Sequence, residues 1–184
     1  MELSLRLKDA LIDLESPELE SRVRAVEDLA ACSSAIAEHV AAAFEREEEA
    51  PHLITERMGR FGSLMIAPME RVYREAGDEK RKLLSAAALL YMGSDVGVPS
   101  LLAATRVGSP NLCLAAAALS SAGVSEAIEP IENALLACEL SDVKTLECLT
   151  DSLRKLKNAM PEAIRLRLSK VEPKWLRDSL LSQM

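Results

Sequence analysis

Asp78-Glu79-Lys80-Arg81-Lys82-Leu83-Leu84-Ser85-Ala86-Ala87-Ala88-Leu89-Leu90-Tyr91-Met92-Gly93 is the stretch on which the fold turns. A capping carboxylate, a glutamate in the first turn, no β-branched residue and a terminal glycine predict one helix over 79–91. Its alanines cover more than one face, so the helix must be packed on several sides. Small side chains there let neighbouring backbones approach closely. The same composition returns at Ala115-Ala116-Ala117-Ala118-Leu119, which places Ala117 in a close helix contact.

Working outward, the prolines give a period. Pro68, Pro99, Pro130 and Pro161 are separated by 31, 31 and 31 residues, and the first three stand beside aliphatic pairs. Gly62, Gly93 and Gly123 end apolar runs 31 and 30 residues apart, where a left-handed C-cap is expected. Ser16-Pro17, Gly77-Asp78, Ser109-Pro110 and Ser141-Asp142 each offer a cap before the next helix. Together these define a unit of two helices, the first with an early proline and the second with a small-residue stop. First helices are predicted over 3–14, 34–46, 64–75, 98–106, 127–138 and 161–170. Second helices follow over 18–31, 52–60, 79–91, 111–121, 143–156 and 174–181. The expectation is a single domain, 1–184, of six repeats: 1–32, 33–62, 63–93, 94–124, 125–157 and 158–184. Leu146, Leu149, Leu153 and Leu156 share one helix face, as do Leu7, Leu11 and Leu14.

Composition agrees. Apolar residues make up 49% of the chain and aromatics only 3%, so alanine and leucine must carry the interior. No segment alternates with period two, and the class is all-α. Net charge is −7, the wrong sign for a general nucleic-acid binder. Residues 1–50 hold 13 acids against 5 bases, and 111–150 hold 6 against 1. No apolar run of membrane-spanning length occurs. The first residues lack the basic head and apolar segment of a signal peptide, which makes a cytoplasmic protein the expectation.

Candidate chemistry is sparse. The two histidines, His39 and His52, have no ligand spacing around them, and neither a nucleophile motif nor a glycine-rich phosphate loop is present. No catalytic residue, metal or cofactor is assigned. Cys32, Cys113, Cys138 and Cys148 stand in apolar helical contexts and read as small buried hydrophobes of a reducing compartment. Cys138 and Cys148 flank one turn, which leaves a pairing between them open. Trp175 is expected to close the C-terminal core.

Two stretches carry a family likeness. Ser21-Arg22-Val23-Arg24-Ala25-Val26 after Pro17 resembles the start of a second helix in HEAT-like repeats, and 78–93 is similar to the short form found in phycobiliprotein bilin lyases. The resemblance implies an armadillo-like, right-handed α-α superhelix of about six antiparallel helix pairs, with the second helices lining a concave face. It also implies a scaffold for a partner protein rather than an enzyme. The residues expected to meet that partner are Glu20, Glu56, Lys80, Lys82, Asn111, Lys144 and Glu147, with Glu47 and Glu48 of the acidic turn. The acidic balance points to a partner with a basic surface, to no nucleic acid or membrane, and to a monomer when alone. Acidic solenoids of this size are similar to bacterial immunity proteins that neutralise a basic partner, an analogy of fold only. Two alternatives remain: a lyase- or chaperone-type repeat protein handling a small ligand, and a structural subunit of a larger assembly.

Overall fold

A computed structural model describes residues 2–46, 51–157 and 159–182. Among these the chain is helical, with short 3-10 turns and no strand. It divides into two compact units, Met1–Gly93 and Ser94–Met184, so the boundary falls where the third predicted repeat ends.

The first unit contains α1 (Glu2–Asp13), α2 (Leu19–Arg46), α3 (Pro51–Met58), α4 (Ile66–Glu75) and α5 (Glu79–Tyr91). Helix α5 is its centre. Every residue from Leu83 to Leu90 is buried, and α2, α3 and α4 pack against it. Asp78 caps it, accepting the Arg81 N–H at 2.8 Å. The alanines make this burial possible, since larger side chains at Ala86, Ala87 and Ala88 would hold three neighbours off.

One expected boundary is absent. The predicted helices 18–31 and 34–46 form the single 28-residue α2, so repeats 1–32 and 33–62 do not separate at 32–33. Ala31-Cys32-Ser33-Ser34 reads as a small-residue stop but contains neither glycine nor proline. Ser33 returns its hydroxyl to the Ala30 carbonyl at 2.6 Å, inside the helix, so nothing forces the chain to turn.

The second unit contains α6 (Val98–Ala104), α7 (Leu112–Ser121), α8 (Ile128–Ala137), α9 (Val143–Leu156), α10 (Glu162–Leu168) and α11 (Lys174–Ser182). Helix α7 packs on α6 and α9, α8 on α9 and α10, and α10 on α11. The proline period now has a cause. Pro68, Pro99 and Pro130 lie in the first turns of α4, α6 and α8, each entered through a 3-10 turn, where the missing N–H costs no helix bond. Gly93 and Gly123 close α5 and α7 with φ of 91° and 72°, which an L side chain adopts only under strain.

Contacts between successive helix pairs recur about one repeat apart from α7 to α10, and shorten to 26 positions between Arg154 of α9 and the Leu180 carbonyl of α11. Cys148 donates to the Cys113 carbonyl 35 positions away, Lys155 to Ser121 34 away, and Arg167 Nε to the Leu135 carbonyl 32 away. The first joins the start of α7 to the first half of α9 and the second joins their ends, so these helices run side by side in one direction.

Two packing expectations fail. Ala117 is only half-buried, while Ala115, Ala116 and Ala118 take the close contact. Trp175 is 67% exposed, and Leu176 and Leu180 close the end of α11 instead. With the helix seated on those two leucines, the residue before Leu176 is carried to the outer face.

Candidate functional site

The residues nominated from sequence fall on separate surfaces. In the first unit Glu20 is exposed in the first turn of α2 and paired with Arg24 at 3.3 Å. Lys80 and Lys82 stand in the first turns of α5, with the Lys82 ammonium 5.6 Å from the centre of the Tyr73 ring. Glu56 is exposed but belongs to the other end of that helix. It lies three residues before Gly59, and a Cβ on Gly59 would stand 2.9 Å from the carbonyl oxygen of Tyr91, the last residue of α5. At about 1.5 Å per residue, the lysines are roughly 15 Å along α5 from Tyr91, where the end of α3 packs. In the second unit Asn111 precedes α7 and Lys144 and Glu147 open α9, so the three share one end of that pair. Glu47 and Glu48 lie outside the described residues.

A more continuous feature runs along α2. Leu19, Val23, Val26 and Ala30 recur at intervals of four, three and four, forming one ridge. The three larger side chains are 68%, 51% and 57% exposed. The same face continues at Ala37 and Ala41, and there it is completely buried. Glu38, beside Ala37, accepts from Arg81 of α5 at 2.9 Å, which places α5 over this later half. Helix α1 lies elsewhere on the first half, held in part by Arg6 and Asp28 at 3.5 Å. One helix face is therefore covered along half its length and bare along the other.

The ground around the bare half is acidic. Glu20 and Glu27, seven residues apart, flank one side of the ridge, and Asp13, Glu15 and Glu18 gather at its start. The nearby bases are largely committed. Arg22 donates to the Ser16 and Pro17 carbonyls at 2.8 and 3.0 Å, Arg6 is held by Asp28, and Arg24 by Glu20.

The second unit holds a cavity of about 490 Å³, lined on one side by 107–110 and on the other by Ala134, Ala137, Asp142 and Thr145, with Cys113 and Cys138 in its wall. All four cysteines are free thiols. The sequence left a Cys138–Cys148 pairing open; the fold instead sets Cys148 against Cys113, its thiol donating to the Cys113 carbonyl at 3.5 Å. The neighbouring Cys148 thiol lowers the Cys113 pKa to about 7; burial opposes the shift, and Thr145 assists it. The Cys113 side chain, with burial, pushes Cys148 upward. Burial and the Asp142 carboxylate raise Cys138.

Both features left traces in the sequence. The 19-23-26-30 spacing is visible, but periodicity alone cannot distinguish a covered ridge from a bare one. Cys113 and Cys148 are separated by about one repeat, the interval that stacks equivalent helices. A scan of protein-family models finds no match, and searches of curated proteins and of solved structures return no significantly similar chain.

Proposed function

We propose that this chain is a non-enzymatic protein-binding module, built from HEAT-like antiparallel helix pairs, that grips a partner along its second helices. The observation that carries the reading is the half-covered face of α2. Where the face runs under α5 it is buried, and the ridge of Leu19, Val23 and Val26 offers the next helix a seat of the same kind. The occupant is an amphipathic helix of another protein, with apolar residues at three- and four-residue spacing and lysines or arginines along its edge. Glu20 and Glu27 meet that basic edge, and the acidic end of the unit raises the encounter rate. The repeat reading draws support from the offsets of 32 to 35 residues between equivalent helices from α7 to α10. The Lys157–Glu132 ion pair at 2.7 Å, which ties the end of α9 to the early part of α8, supports antiparallel pairs.

The test is a paired capture from native lysate with the tagged chain and a Val23→Glu/Val26→Glu variant, followed by cross-linking and mass spectrometry. The expected result is a protein retained by the first, lost from the second, released by salt, and cross-linked to α2 through a basic helical segment. Retention of the same proteins by both baits would overturn the reading. So would self-association of the chain through the ridge, seen as a dimer in sedimentation that the variant abolishes.

A further inference from the structure

The cavity of the second unit has a feature that protein binding does not use. Cys113 is the second residue of α7, a ten-residue helix whose dipole favours negative charge at that position. It is half-buried and opens into the cavity, so small molecules reach its sulfur. Cys148 lies behind it on α9, its thiol donating to the Cys113 carbonyl at 3.5 Å. A thiol open to a cavity with a second thiol at its back is the arrangement in which one cysteine is oxidised and the other resolves the product.

We propose that Cys113 is a peroxide-reactive modification site and Cys148 its resolving partner. The Cys113 thiolate attacks one oxygen of a small hydroperoxide; hydrogen peroxide is the simplest. The S–O bond forms and the O–O bond breaks. The departing oxygen takes a proton from solvent and leaves as water, or as an alcohol from an alkyl hydroperoxide. Sulfur has lost two electrons and become a sulfenic acid. Cys148 then gives up its proton and attacks that sulfur. An S–S bond forms, the S–O bond breaks, and the released hydroxide takes the proton to leave as a second water. In sum, two thiols and one peroxide yield one disulfide and two waters, and a thiol reductant reverses the change.

Cys138 supplies an internal standard, because it lines the same cavity near Cys113 but turns its thiol to the backbone. Its own thiol donates to the Glu139 carbonyl at 3.4 Å. At pH 7 the Cys113 thiol, lowered to about 7, is half ionised, whereas burial and the Asp142 carboxylate hold Cys138 above its ordinary value and keep it almost wholly protonated. The lower intrinsic nucleophilicity of the more acidic thiol removes part of that advantage, leaving Cys113 at least about fivefold faster than Cys138.

The experiment treats the full-length chain with hydrogen peroxide at pH 7 and maps the products by mass spectrometry. The expected result is loss of two hydrogens and a peptide joining Cys113 to Cys148. In Cys148→Ser, checked for folding by circular dichroism, a 1,3-dione should trap the sulfenic acid on Cys113. Cys113→Ser should leave Cys148 reduced over the same time. Oxidation of Cys138 or Cys32 as fast as Cys113 would overturn the assignment. So would a Cys113 that is oxidised without ever joining Cys148.

Discussion

Gly59→Ala tests the packing of α3 against the end of α5. The Cβ it adds would stand 2.9 Å from the Tyr91 carbonyl oxygen, about half an ångström inside ordinary contact. Neither side yields easily. The oxygen belongs to the backbone, and α5 is buried from Leu83 to Leu90 and closed by the Met92 N–H on the carbonyls before it. Relief requires a shift of α3 or of the turn after α5, and overpacking of this kind costs about 1–3 kcal/mol. Against it stands a gain of about 0.4–1 kcal/mol, because alanine restricts the unfolded chain more than glycine does. The net expectation is a loss of about 1–2 kcal/mol. For a chain of this size that lowers Tm by about 2–8 °C. The matched control is Gly77→Ala, whose Cβ meets nothing within 4 Å and whose backbone is not left-handed. It should be neutral or gain a few tenths of a kcal/mol. Urea unfolding followed by circular dichroism, with m-values compared, reads both. If Gly59→Ala proved as stable as Gly77→Ala, α3 could not lie where the contact puts it, and the stacking of second helices in the first unit would fail with it.

Ala116→Leu should cost about 1–3 kcal/mol in the same assay, since Ala116 is fully buried, whereas Ala117→Leu at its half-buried neighbour should cost less than about 1. Thr150→Val should gain about 1 kcal/mol, because the buried Thr150 hydroxyl has no partner among the described residues and the change keeps its shape. Val23→Glu/Val26→Glu should stay within about 0.5 kcal/mol of the parent, the mark of exposed positions held for binding rather than folding. Alkylation of Cys113 by iodoacetamide should rise with pH to half its maximum near 7, because the thiolate is the nucleophile. Removing the Cys148 donor with Cys148→Ala should move that midpoint upward. Lys144, Asp142, Glu139 and Cys138 face the same region and remain unchanged in that comparison.

The local code was legible because its causes are local. Proline in a first turn, glycine at a left-handed stop and aspartate before a helix act through their own backbone, so Pro99, Gly93 and Asp78 marked their elements correctly. The end of a helix with no glycine or proline was not legible. Ser33 and Ser34 can satisfy their hydroxyls inside a helix or outside it, and only the surroundings choose; here α2 continues to Arg46. Ala117 and Trp175 were misplaced for a related reason: a run of alanines does not say which one faces the next helix, and an aromatic beside two leucines does not say which of the three turns inward.

The sequence by itself determined the helical class, the period of about 31 residues and the acidic surface, because propensity, capping and charge are properties of short segments. Only the tertiary structure decided that the ridge of Leu19, Val23 and Val26 is bare while its continuation at Ala37 and Ala41 is covered. It alone set Cys113 rather than Cys138 against Cys148. Both depend on which helices meet across one repeat, a long-range choice governed by the shape of the packed faces and not by any residue's neighbours in the chain.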